Sequence, residues 1–153
     1  MRYKILLVIL PVFIFTACLD KAEREQDLLK AYLEENNITE EPKSSGLYYI
    51  EITEGDGDAP KAGSFVSVHY EGRLIDGEVF DTSYDSEEPF TFVMGAGQVI
   101  RGWEEGVSYM REGGKAQLII PSHLGYGSYE RDKIPAYSTL IFDIELITVG
   151  NQK

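Results

Sequence analysis

Nine residues constrain this chain most: Val99-Ile100-Arg101-Gly102-Trp103-Glu104-Glu105-Gly106-Val107, which place its only tryptophan between two glycines. Ile100, Trp103, Val107 and Met110 recur at spacings of three, four and three, so they share one face of a short helix. Arg101, Glu104, Glu105 and Ser108 fall on the opposite, solvated side. A large indole on so short a helix either fills a core or floors a pocket. The runs around it are strands. Val66, Val68 and Tyr70 alternate with Phe65, Ser67 and His69, the period of a half-buried strand. Leu47 to Thr53 is another strand, closed by the turn cluster Glu54-Gly55-Asp56-Gly57-Asp58. Asp76-Gly77 marks a hairpin between Arg73-Leu74-Ile75 and Val79-Phe80. Phe90, Phe92 and Met94 share the next strand face, before a Gly95/Gly97 break. Ala116, Leu118 and Ile120 lead up to Pro121. A loop over 122–138 then precedes a last strand, Thr139 to Val149, with Leu140, Phe142, Ile144 and Leu146 inward and Asp143 and Glu145 outward. These patterns predict an α+β fold of about six antiparallel strands wrapped on one short helix.

The first 46 residues stand apart from this domain. Arg2 and Lys4 begin a basic start, Ile5 to Phe15 is apolar, and Thr16-Ala17 puts small residues before Cys18, the only cysteine. That pattern is a secretory signal, too short to span a membrane convincingly. It resembles a bacterial lipoprotein signal, with Phe15 standing where an aliphatic residue is more usual. The resemblance implies lipidation of Cys18 and removal of residues 1–17. Residues 19–37 carry Leu28, Leu29, Tyr32 and Leu33 at helical spacing and stop at Asn36-Asn37. So short a helix is marginal alone, and it must dock, pair with a second copy or fray. Residues 38–46, with Pro42, Ser44, Ser45 and Gly46, read as a linker. The expected division is 1–17 signal, 18–46 helix and linker, and 47–150 folded domain.

Charge narrows the partners. Fourteen basic and 26 acidic residues give a net charge of −12, and the signal segment holds only basic charges, so the remainder is more acidic still. Such a surface repels nucleic acid and anionic headgroups, and any membrane attachment must come from acyl chains.

Conventional catalytic groups are scarce. His69 and His123, the only histidines, have no partners at metal-ligand spacing. Ser122-His123 lacks a nucleophile elbow and an assigned acid. Gly95-Ala96-Gly97 lacks the lysine and the βαβ setting of a phosphate loop. What the domain does concentrate is rings: Tyr70, Phe80, Phe90, Phe92, Trp103, Tyr126 and Phe142. They exceed what one core of this size needs, and the surplus can line an apolar concave site. Asp81 follows Phe80 in a strand-like run. A bulge there would turn its carboxylate toward the rings; without one it is an edge carboxylate.

One reaction needs little acid, base, metal or nucleophile: rotation about an X–Pro bond. Its barrier of about 18–20 kcal/mol comes from amide resonance. The twisted amide carries less charge separation than the planar one, so a dry apolar pocket favours it over the ground state.

Six segments carry a resemblance in order and in register: Val68-His69-Tyr70-Glu71-Gly72; Asp76-Gly77-Glu78-Val79-Phe80-Asp81-Thr82-Ser83; Pro89-Phe90-Thr91-Phe92; Val99 to Val107; Gly125-Tyr126-Gly127; and Leu140-Ile141-Phe142-Asp143-Ile144-Glu145-Leu146. From Leu47 to Val149 the chain closely resembles the FKBP-type peptidyl-prolyl cis-trans isomerases. The resemblance implies a half-open antiparallel sheet around a short helix, here with an N-terminal helical extension, and an enzyme without a cofactor. It implies that Trp103 floors a prolyl pocket walled by Tyr70, Phe80, Phe90 and Phe142. Val99 and Ile100 would add apolar contact and a backbone amide, Tyr126 a hydrogen bond to the ligand, and Asp81 a polar edge. Ile134 falls at an apolar flap position, and Phe92 is assigned to the core. The flap departs from the family pattern, being the charged, bulky Ser128-Tyr129-Glu130-Arg131-Asp132-Lys133. The implied partners are proline-containing exported polypeptides, FK506/rapamycin-type macrolides and, through the lipid, a membrane of the cell envelope. The implied state is a monomer, with dimerisation through the N-terminal helix as the alternative. A catalytically weak chaperone or peptide-binding module is the alternative function.

Overall fold

The computed structural model describes residues 13–86 and 88–150, with side chains from residue 20 onward. The expected signal segment lies outside the described residues as far as residue 12, as does the Cys18 side chain. The elements are α1 (Phe13–Glu35), β1 (Tyr48–Thr53), β2 (Phe65–Leu74), β3 (Val79–Thr82), β4 (Phe90–Val93), α2 (Arg101–Ser108), β5 (Lys115–Ile120), a 3-10 turn (Ser122–Leu124) and β6 (Leu140–Gly150). The strands form one antiparallel sheet in the order β1-β5-β6-β2-β3, and β4 shares the outer edge of β2. Among the described residues no helix is long and apolar enough to cross a membrane.

The alternation read from the sequence sets the inner face. Val66, Val68, Leu118, Leu140 and Leu146 are fully buried, with Phe142 and Ile144 nearly so, around Trp103 and Val107 of α2. An eight-residue helix is unstable by itself, so this contact, and not its own hydrogen bonds, holds α2 in place. The two glycines of the helix permit the approach. A β-carbon at Gly102 would stand 2.5 Å from Ile120, and one at Gly106 would stand 2.4 Å from Leu118. Glu104 then fastens the preceding turn, accepting hydrogen bonds from the Gly95 and Gly97 amides at 2.6 and 3.1 Å.

Two features differ from the sequence expectation. Arg73-Leu74 is not a separate strand, because β6 runs beside β2 past Gly72 and pairs Gly72, Arg73 and Leu74 with Phe142, Ile141 and Leu140. The N-terminal helix is also longer than expected, 23 residues from Phe13. Of the fates open to that helix, it docks. Ile119 and Ile141 face each other across β5 and β6 on the side away from α2, yet both are fully buried. Ala22, Glu25, Leu29, Tyr32 and Leu33 of α1 are half-buried at helical spacing. Tyr32 reaches Arg73 in the middle of the sheet, and Glu25 reaches Ser122 and Thr139 at its end. Arg73 also pairs with Asp143, which accepts from Gln117 at 2.7 Å. The linker is likewise ordered. Ser45 donates to Glu105 at 2.8 Å, and the Lys43 ammonium sits over the rings of Tyr49 and Tyr109.

Candidate functional site

The pairing of β2 with β3 places the acidic edge of the site. Gly72 opposes Asp81 while Arg73 opposes Val79, so Phe80 is the extra residue of a bulge. A bulge bends its strand and re-aims side chains, and here Phe80 and Asp81 both border the same cavity. That cavity holds about 200 Å³ and is lined by Tyr70, Phe80, Asp81, Phe90, Gln98, Val99, Ile100, Trp103, Tyr126 and Phe142. β2, β3, β4, β6, the start of α2 and the loop after the 3-10 turn each contribute.

The floor is held by ring geometry. Tyr70, Phe142 and Phe90 meet Trp103 edge to face, at centroid distances of 4.9, 5.1 and 6.0 Å and near-perpendicular planes. Aromatic pairs favour this arrangement electrostatically as well as by contact. Trp103 is 4% exposed, packed among these rings, and contributes to the cavity lining. Among the buried side-chain polar atoms described, the indole Nε1 alone lacks a hydrogen-bond partner. At the rim the Tyr70 hydroxyl donates to Asp81 Oδ2 at 2.7 Å. Burial, then the bond to Asp81 and its charge, push the Tyr70 hydroxyl above its ordinary range. Tyr70 is therefore a neutral donor at every physiological pH. Ile100 is the N-cap of α2, and amides at a helix start have no acceptor within the helix.

Nine of the ten residues expected at the site line this cavity, and Ile134 does not. Arg131 and Ile134 close a tight bridge around Asp132-Lys133, and Ile134, 7% exposed, belongs to the hydrophobic core. The charged flap instead brings the Arg131 guanidinium 5.7 Å from the centre of the Tyr126 ring. Gln98 was missed. A lone polar residue in a turn carries no periodic signal, and its carboxamide oxygen is engaged by the Val93 amide at 2.8 Å. Phe92 is 2% exposed and belongs to the core. His69 bonds Ser83 at 3.0 Å and stacks on Tyr84, whereas His123 bonds the Ser45 carbonyl. Among the described residues no group of three His, Cys, Asp or Glu side chains is placed to hold a metal ion. A larger hollow, about 450 Å³, lies between α1 and residues 135–139. It lacks the convergent rings with a carboxylate at their edge, so the smaller cavity is the candidate.

A half-open antiparallel sheet closed on a short helix, with a ring-lined cavity between them, defines a class of small folded domains. The comparisons with known proteins identify it. The family model described as FKBP-type peptidyl-prolyl cis-trans isomerase matches residues 57–147. The chain is 42% identical over 138 residues to the FKBP-type peptidyl-prolyl cis-trans isomerase FkpA of Buchnera aphidicola, covering 86% of this chain and 53% of that one. It is 46% identical over 105 residues to an FK506-binding protein of Neisseria meningitidis, covering 68% of this chain and 96% of that one. The crystal structure of FkpA from Escherichia coli superposes with a TM-score of 0.77 at 38% identity, over 90% of this chain and 64% of that one. The chain belongs to the FKBP-type peptidyl-prolyl cis-trans isomerase family. It spans about half the length of the Buchnera FkpA relatives.

Proposed function

We propose that this chain catalyses cis-trans isomerisation of X–Pro bonds in exported or envelope polypeptides, anchored to a membrane by lipid on Cys18. The observation that carries the reading is one cavity lined by Trp103 and by the rings of Tyr70, Phe80, Phe90, Tyr126 and Phe142, with the Asp81 carboxylate among them. A proline ring seated on the indole gains contact without charge. Rotation drains charge from the amide oxygen and nitrogen, and walls of Phe80, Phe90, Val99 and Phe142 favour that depolarised state over the planar one. The Ile100 amide and the Tyr126 hydroxyl are suited to hold substrate carbonyls while the bond turns. Asp81, fixed by Tyr70, faces the polar side of the substrate. No covalent step is needed. FK506/rapamycin-type macrolides, as proline mimics, fit the same cavity. The signal-like start with Cys18 supports lipid attachment in the cell envelope, and the acidic surface leaves that attachment to acyl chains.

The alternative is a peptide-holding chaperone, favoured by the charged flap, whose Arg131 guanidinium sits over the Tyr126 ring. Refolding of a protein limited by a prolyl isomerisation separates the two. Acceleration at substoichiometric chain is expected. Suppressed aggregation of a proline-free client, with no acceleration, would instead establish the chaperone.

Asp81→Leu should lower kcat/KM for a proline peptide about tenfold, the effect of losing one charge-assisted hydrogen bond of about 1.5 kcal/mol. Asp81 is exposed, so the unfolding free energy should stay within about 0.5 kcal/mol of the parent. Peptide kinetics beside a urea titration check both halves.

A further inference from the structure

We propose that Glu25, on α1, is a positioning residue for the prolyl site, holding the loop that carries Tyr126. The inference rests on the cavity being the site of X–Pro rotation. Glu25 is 97 residues from Ser122 in sequence, yet its carboxylate accepts three hydrogen bonds there. They come from the Ser122 amide at 2.6 Å, the Ser122 hydroxyl at 2.6 Å and the Thr139 hydroxyl at 2.9 Å. All three partners are donors, which suits a carboxylate, an acceptor at both oxygens. Ser122 and Thr139 are 5% and 3% exposed, so removing their acceptor leaves buried polar groups unmatched.

The tie leads directly to the site. The Ser122 carbonyl accepts from the amides of Gly125 and Gly127 at 2.9 and 2.8 Å, the two residues flanking Tyr126. The Gly127 carbonyl in turn accepts from the Tyr137 amide at 2.8 Å. Glu25 thus fastens both ends of the 122–139 loop, and Tyr126 hangs from the fastened end. Tyr32, two turns further along α1, meets Arg73, a second point of contact between the helix and the sheet. On this account α1 is a working part of the catalytic domain and not a spacer beneath it.

The test is a double-mutant cycle on the full chain in detergent, read by proline-peptide kinetics and amide hydrogen exchange. Glu25→Ala should lower kcat/KM about tenfold and should speed exchange at Gly125 and Gly127 while the β6 amides keep their protection. In a Tyr126→Phe background the same substitution should cost no further activity, because the lever it acts through is already gone. Glu25→Gln should restore activity to within about twofold of the parent, since a hydroxyl at Ser122 can turn to accept from the amide. Asp27→Ala, exposed on another face of α1, should change neither readout. Thr139→Val removes one of the three donors at similar volume and should give the same pattern at smaller size, should Glu25→Ala not fold. Unchanged exchange at Gly125 and Gly127, or equal losses in both backgrounds, would overturn the proposal. An inactive parent chain would refute the reading of the cavity, and the exchange data would still decide whether Glu25 holds the loop.

Discussion

Replacing Trp103 with leucine should lower kcat/KM for proline peptides about a hundredfold. Leucine leaves the cavity floor short of a flat apolar surface, and losing about 3 kcal/mol of contact with the prolyl ring corresponds to that factor. The same change should destabilise the domain by about 2–4 kcal/mol, because Tyr70, Phe90 and Phe142 lose the face or edge they pack against. Trp103→Phe separates the two effects. The indole N–H has no hydrogen-bond partner, so phenylalanine leaves no stranded acceptor and removes only area. Its loss of activity should be about tenfold. Kinetics at a temperature where urea titration shows each variant folded would reveal whether the order Trp, Phe, Leu holds.

The double substitution Gly102→Ala with Gly106→Ala should destabilise the chain by about 3 kcal/mol, although alanine is the better helix former. Propensity favours alanine by about 1 kcal/mol per position. Against it, the new β-carbons would meet Ile120 at 2.5 Å and Leu118 at 2.4 Å. Both of those side chains are fully buried and have no room to retreat. Overpacking typically costs about 1–3 kcal/mol per site, so contact outweighs propensity and α2 is pushed away from β5. A lower urea midpoint with an unchanged slope would show it, and the Trp103 fluorescence, from the only tryptophan present, should shift as the indole moves.

Much of this was legible in the sequence because one physical rule governed it. Strand alternation gave the inner face of β2, β5 and β6, since one side of each strand is buried against α2. The ring surplus located the cavity because aromatic area beyond the needs of one core must be spent somewhere. The possible turn of Asp81 toward the rings was visible only as an alternative, and the bulge at Phe80 decides it. What the sequence hid was long-range. Position in a flap points Ile134 at the pocket, but a two-residue turn folds it into the core. β2 continues past Gly72 because β6 lies beside it, which no local pattern records. The docking of α1 through Glu25 and Tyr32 depends on partners 97 and 41 positions away.

The central claim is that a dry aromatic cavity over Trp103 turns prolyl bonds, and exchange NMR on a proline tetrapeptide tests it most directly. Uncatalysed interconversion takes tens to hundreds of seconds. With a catalytic amount of the chain, cis and trans resonances should exchange within a second or less, and an Asp81→Leu or Trp103→Leu sample should lag behind. Exchange as slow as in peptide alone, beside a chain shown to be folded, would contradict the account.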